Sequence, residues 1–274
     1  MKKNYVLSIL FALAFGFIAD QLQAQLYFSV HPGFGLKKST QAIEYFSLYN
    51  ETETSSEATK YEQILTSYGK GLDVGVTVGN MFNDNVGAEL IIDYLLGGKT
   101  KATYEPYNAS ASEAKTWARM LRISPCAVIR AGFDGIDPYA RFGAIVCFGS
   151  IKYKEEYTFN NQEYVYLEKL SGGVTLGFTG AVGARFPFSD IMAIFAEINT
   201  VNASYAPKKG EITEFTIGGE NQLDDMPTYY KETEFVKEYT YSGGEQNLDE
   251  PHQVLKQKFP FGSVGINVGF EITL

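Results

Sequence analysis

From Ser263 to Leu274 apolar and polar residues alternate without a break. Val264, Ile266, Val268, Phe270, Ile272 and Leu274 share one face, and Ser263, Gly265, Asn267, Gly269, Glu271 and Thr273 share the other. A period of two is that of a β-strand, and here the polar face is small and glycine-rich. The same two-faced pattern recurs upstream. Leu26, Phe28, Val30, Pro32, Phe34 and Leu36 alternate with Tyr27, Ser29, His31, Gly33 and Gly35, then Leu72, Val74, Val76 and Val78 with Asp73, Gly75, Thr77 and Gly79. Val86, Ala88, Leu90, Ile92 and Tyr94 stand against Gly87, Glu89 and Asp93, and Trp117, Leu121, Ile123, Ala127 and Ile129 against Arg122, Ser124, Cys126 and Arg130. Phe142, Ala144, Val146 and Phe148 oppose Arg141, Gly143, Cys147 and Gly149. The series Val174, Leu176, Phe178, Val182, Ala184 and Phe186 opposes Thr175, Gly177, Thr179, Gly183 and Arg185, and Met192, Ile194, Ala196 and Ile198 oppose Glu197 and Asn199.

The connections alternate in length. Those after the second, fourth and sixth strands are short and rich in turn formers: Asn80–Asn85, Gly132–Pro138 and Pro187–Asp190. Those after the first, third, fifth and seventh are longer and polar: Lys37–Thr66, Gly97–Lys115, and about 154–170 and 206–258. An apolar face on every strand, backed by small polar residues, suits a closed sheet in lipid, with hydrocarbon outside and a polar lumen within. The expected fold is therefore all-β: an eight-stranded antiparallel up-and-down transmembrane β-barrel, with short periplasmic turns, long external loops and both termini in the periplasm. A soluble lipocalin-like barrel would instead turn its apolar face inward around a ligand. Within 206–258, Tyr229–Tyr241 is expected to form an external hairpin extending strands seven and eight, with a ten-stranded barrel as the alternative.

Across residues 25–274 the strand number and loop pattern resemble the small OmpA/OmpX-type outer-membrane barrels. The last strand also resembles the C-terminal assembly signal of such proteins in Asn267, Gly269, Ile272 and Leu274, although Leu274 stands where that signal ends in an aromatic residue. The resemblance implies the outer membrane of a Gram-negative bacterium, with outer-membrane lipid, lipopolysaccharide and the barrel assembly machinery as partners.

Composition refines this picture. Lys2 and Lys3, the apolar run Tyr5–Ala19 and Leu22-Gln-Ala24 read as a secretory signal over residues 1–24, followed by one barrel domain over 25–274. The apolar run is too short for a membrane-spanning helix. With 19 Tyr, 20 Phe and 27 Gly, the chain is aromatic and glycine-rich, and its net charge of −9 argues against nucleic acid as a partner. Cys126 and Cys147 share the lumen parity of neighbouring strands. They are expected side by side or one diagonal step apart, as a disulfide or as two small fillers. No Cys-x-x-Cys pair or calcium-loop spacing is present, so neither a metal nor a cofactor is expected.

The lumen parity also collects charge. Glu89, Arg141, Arg185 and Glu271, with Arg130 close by, fall near the short-turn end, while Asp73, Asp93, Arg122 and Glu197 fall nearer the middle. An eight-stranded barrel is only wide enough for side chains to fill it, so these charges are expected to pair, Arg141 with Glu89 or Glu271. A gated ion path through them is the transport alternative. His31 and Ser29 share one lumen face, but no acidic third member is fixed by spacing. A membrane-embedded lipid hydrolase is thus a second alternative, and His31 is expected as a hydrogen-bonded lumen residue. His252 lies in the last loop, where 206–257 carries eleven Asp/Glu against five Lys. Trp117, Tyr104, Tyr107, Tyr153 and Phe261 are expected in an aromatic girdle at the outer interface. The expected function is non-enzymatic: a barrel with a filled polar lumen and acidic external loops, in a structural or surface-interaction role.

Overall fold

A computed structural model describes residues 25–55, 58–105, 111–240 and 246–274, so the expected signal over 1–24 and the girdle candidate Tyr107 lie outside the described residues. Eight strands follow one another as a meander. They are β1 Gln25–Lys37, β2 Gly71–Met81, β3 Val86–Gly97, β4 Ser112–Arg130, β5 Asp137–Phe159, β6 Val174–Pro187, β7 Met192–Asn202 and β8 Ser263–Thr273. Each pairs antiparallel with the strand before it, and β8 returns to β1, with Tyr27 facing Thr273 and Lys37 facing Ser263. The sheet is a closed barrel, and closure leaves no unpaired strand edge within it.

The alternation of the sequence becomes inside and outside. Phe34, Val74, Ile92, Phe142, Leu176 and Ile266 lie on the outer surface, and Leu176 is 76% exposed. Their partners in the pattern, among them Asp73, Glu89, Arg122, Arg141, Glu197 and Asn267, are buried in the lumen. So continuous an apolar outer surface is unfavourable in water and is what hydrocarbon requires.

Two strands are far longer than a membrane needs. β4 has 19 residues and β5 has 23, against the ~9–11 of a spanning strand. Their upper parts carry an outer sheet that the sequence pattern placed in loops. Thr100–Glu105 pairs with the start of β4, and Gln162–Ser171 pairs with the end of β5 through a turn at Asn160 and Asn161. Both turn residues have positive φ (51° and 60°), the conformation of a two-residue hairpin turn that asparagine tolerates. Lys209–Ile217 then joins Gln162–Ser171, and Glu232–Val236 joins Lys209–Ile217. Among the described residues the 206–258 segment therefore widens the β5 side; it neither extends β7 and β8 as a hairpin nor adds strands to the barrel, and Tyr241 of the expected hairpin lies outside the described residues. On the other flank Tyr49–Ser55 and Ala58–Gln63 form a hairpin that runs beside Thr100–Glu105.

The outer pattern inverts at one height. On β5 the outward series Phe142, Ala144, Val146, Phe148 gives way to Ser150, Lys152, Lys154 and Glu156, while Ile151 and Tyr153 turn inward. On β4 the outward series changes between Leu121 and Arg119. Phe148 faces Leu121, and Ser150 faces Arg119, so the two strands leave the apolar band together.

The cysteine expectation is corrected by register. Cys126 faces Gly143 and Cys147 faces Arg122. The thiols thus sit four ladder positions apart (147 − 143), roughly 13 Å at ~3.3 Å per residue, beyond the reach of a disulfide. Both are free, buried and on the lumen face. The hairpin centres on Asp134 and Gly135. The Asp137 carboxylate turns back to accept the Gly132 amide at 2.8 Å, so Asp137 starts the strand instead of belonging to the turn.

Candidate functional site

Side chains from all eight strands point into the lumen. At the short-turn end Glu271 of β8 receives Arg130 Nη2 of β4 at 3.0 Å and Arg185 Nε of β6 at 2.6 Å. The Arg130 guanidinium lies 4.3 Å above the Tyr27 ring, and the Tyr27 hydroxyl donates to Glu89 at 2.6 Å. Arg141 bridges Glu89 (3.2 Å) and Glu197. Glu197 also accepts the Tyr139 hydroxyl at 2.7 Å and the Asn267 amide at 2.7 Å, and Asn199 donates to Asn267 at 2.6 Å. Higher up, Arg122 lies between Asp73 (3.2 Å) and Asp93. Each guanidinium is thereby matched in a space where an unpaired charge is very costly.

Register explains why these groups meet. Asp93 faces Arg122 directly, and Glu197 faces Asn267 directly. Large lumen residues face glycine: Tyr27 lies opposite Gly79 and His31 opposite Gly75, and a Cβ at either glycine would strike the facing ring. Glu89 is the partner of Arg141 expected from the sequence. Glu271 is not; it lies lower, with Arg130 and Arg185. Tyr27, Tyr139 and Asn199 complete the network. Their lumen parity was readable, but their roles as donors, the two tyrosines to carboxylates and Asn199 to the Asn267 amide oxygen, were not, because these depend on distances across the lumen.

His31 departs from expectation. It is buried, its ring meets Phe195 edge-on at 6.2 Å, and its Nδ1 has no hydrogen-bond partner. No hydrogen bond joins it to Ser29 among the described residues, and His252 is elsewhere, 2.9 Å from the Tyr229 hydroxyl in the outer sheet. His31 borders a cavity of about 30 Å³ that it shares with Asp73, Arg122, Arg141 and Asn267, room for a water or two.

The long-loop mouth is closed in a different way. The arm that follows β1 folds over the barrel and buries Ile43, Phe46 and Leu48, while Phe259 and Phe261 enter from the segment before β8. Phe46 stacks on Tyr153 with ring centroids 4.6 Å apart and planes within 4°, and Tyr68 stacks on Phe261 at 5.6 Å. Tyr153 and Phe261 thus point into the mouth instead of joining the expected girdle. Tyr104 lines the outer cleft and donates to Glu53 at 3.1 Å, and among the described members of that group Trp117 faces outward at the membrane boundary, beneath Lys99 Nζ at 5.1 Å. The arm is fastened by Tyr45, whose hydroxyl donates to Glu168 at 2.6 Å; Tyr166 donates to the same carboxylate at 3.2 Å. Burial holds the Glu168 carboxyl above its ordinary range, and the two phenol donors offset this only in part. Above the arm a cleft of about 350 Å³ opens outward, lined by Phe46, Tyr49, Tyr104, Tyr153, Glu51 and Glu155.

No cluster of three or more His, Cys, Asp or Glu side chains is placed to hold a metal ion among the described residues. A family model described as outer membrane protein beta-barrel domain matches residues 9–220. No curated protein matches the chain.

Proposed function

The chain belongs to the outer membrane protein beta-barrel domain family, and from that membership we propose that it is a non-enzymatic, non-conducting barrel with a structural or surface-interaction role. In this reading the host is a Gram-negative bacterium, the short turns and both termini face the periplasm, and the outer sheet stands at the cell surface. The barrel assembly machinery and outer-membrane lipid are its partners there. Two sets of contacts along the lumen axis support the reading. Arg141 and Arg122 with their carboxylates span the interior, and the Phe46, Phe259 and Phe261 cluster lies across the mouth. An ion crossing this path must displace paired charges and then an aromatic layer. The outer cleft, with its rings and carboxylates, offers the surface for interaction.

Planar-bilayer recording tests the proposal. Reconstituted protein should give no discrete conductance steps, and reproducible steps that vanish when Arg141 is substituted would establish the narrow-channel reading instead.

A further inference from the structure

Where the outer face leaves its apolar band, the first charged residues are all cations. Leu36 of β1 is followed on the same face by Lys38, and Leu72 of β2 is preceded there by Lys70. Leu96 of β3 gives way to Lys99, Leu121 of β4 to Arg119, and Phe148 of β5 to Ser150 and Lys152. The ladder makes them neighbours. The Gly98 amide donates to the Lys70 carbonyl at 2.9 Å, Leu96 faces Arg119, and Lys152 lies between Trp117 and Lys169. The result is a basic arc running across five consecutive strands and onto Gln162–Ser171.

None of these cations is in an ion pair among the described residues. Lys38 Nζ reaches only the Thr200 hydroxyl at 3.2 Å, Lys70 Nζ the Lys99 carbonyl at 3.0 Å, and Lys99 Nζ the face of Trp117. Higher on the same strands the opposite holds: Lys101, Lys115 and Lys154 pair with Glu113 and Glu156. Burial and the nearby Lys37 together push the Lys70 ammonium below its ordinary value. A chain of net charge −9 therefore gathers uncompensated positive charge at one height, immediately beyond the residues that meet hydrocarbon.

We propose that this arc is a docking surface for the phosphate-bearing headgroups of the membrane leaflet at the long-loop end. That height is the headgroup layer, where ammonium and guanidinium groups attract anionic lipid and bond phosphate oxygens. The site rests on the reading above only for the identity of its lipid, a phosphorylated glycolipid if this end faces the cell exterior; recognition of lipid phosphate does not depend on it.

Trp117 is the single tryptophan of the chain and sits inside the arc, so it reports directly. The full chain is reconstituted in phosphatidylcholine vesicles. These contain, at equal mole fraction, either phosphatidylglycerol or phosphatidylcholine brominated near the headgroup end of the acyl chains. The brominated anionic lipid should quench Trp117 about twofold more than the zwitterionic one, and salt should erase the excess. The variant Lys70→Gln/Arg119→Gln/Lys152→Gln, with its barrel fold checked by heat-modifiable gel mobility, should also lose the excess. Equal quenching by the two lipids overturns the proposal, as does an excess that survives the triple substitution. Neither result bears on conductance, so the functional reading stands or falls separately.

Discussion

At the short-turn end Arg141 lies between two carboxylates, and side chains of β1, β3, β5, β7 and β8 build the hydrogen-bonded network around it. At the long-loop end Phe46 lies flat on Tyr153, and the surrounding cluster is aliphatic and aromatic. The two regions share β4 and β5, so strand geometry does not account for the difference. What changes is the solvent outside. Within the apolar band the outer face takes the hydrophobic residues and the lumen is left with polar ones, which must satisfy each other. Above the band the outer face meets water, and the inner face is free to become an ordinary hydrophobic core. The inversion at Phe148/Ser150 and Leu121/Arg119 is the point of exchange.

The sharpest way to break this contrast is at Arg141. Arg141→Leu leaves Glu89 and Glu197 without their shared cation and should cost ~3–5 kcal/mol of barrel stability. Arg141→Leu/Glu197→Gln should recover part of the loss, read as urea midpoints in micelles; fully additive losses would mean that the network is not coupled. In the mouth, Phe46→Ala removes the stacked ring from a region outside the membrane. It should cost ~3 kcal/mol locally, releasing the arm to proteolysis while leaving heat-modifiable mobility unchanged. Global unfolding would show that the mouth and the lumen floor form one cooperative unit.

On the outer face of the band, Ile266→Arg or Ile92→Arg should cost ~2–4 kcal/mol, far more than Asn267→Ser at a lumen position. Similar tolerance of both kinds of change would reverse inside and outside.

A smaller effect separates the regions by pH. The Glu168 carboxyl is held above its ordinary 4.5, first by burial, so the folded mouth binds that proton more tightly than the unfolded arm does. Its contribution is complete below the ordinary carboxylate value and is lost as pH rises through the folded one. Amides of 41–48 should therefore be better protected at pH 5 than at pH 8 once intrinsic exchange is corrected, and Glu168→Gln should flatten the difference. The smallest expected effect is redox. Reductant should leave the unfolding midpoint unchanged, because Cys126 and Cys147 are free and too far apart to bridge.

The barrel was legible because lipid imposes its period on every strand; eight alternating segments and alternating connection lengths determine the closed meander. Membership of the lumen network was legible in part, since parity alone turns Glu89, Asp93, Arg122, Arg141, Arg185, Glu197 and Glu271 inward. Which charges pair was legible only for Arg141 with Glu89, because partners such as Arg130 and Glu271 come from strands that are not neighbours. The mouth was illegible for another reason. Ile43, Phe46 and Leu48 sit in a polar stretch with no sustained period, and their burial follows from where the arm lands. The cysteine pairing failed because lumen parity fixes the face but not the register: the ladder sets Cys126 against Gly143, four positions from Cys147.

Tyr27 and Thr273 face each other across the closing seam but are 246 residues apart (273 − 27), and bringing such distant segments together costs ~5 kcal/mol in chain entropy. The seven preceding pairings are all between consecutive strands and can zip as hairpins. The seam cannot, and β8 is the last of the eight strands to leave the ribosome. Until β8 is in place, Arg130 and Arg185 lack Glu271. An assembling chain that stalls before β8 joins the sheet thus presents two bare guanidiniums where the finished protein has none.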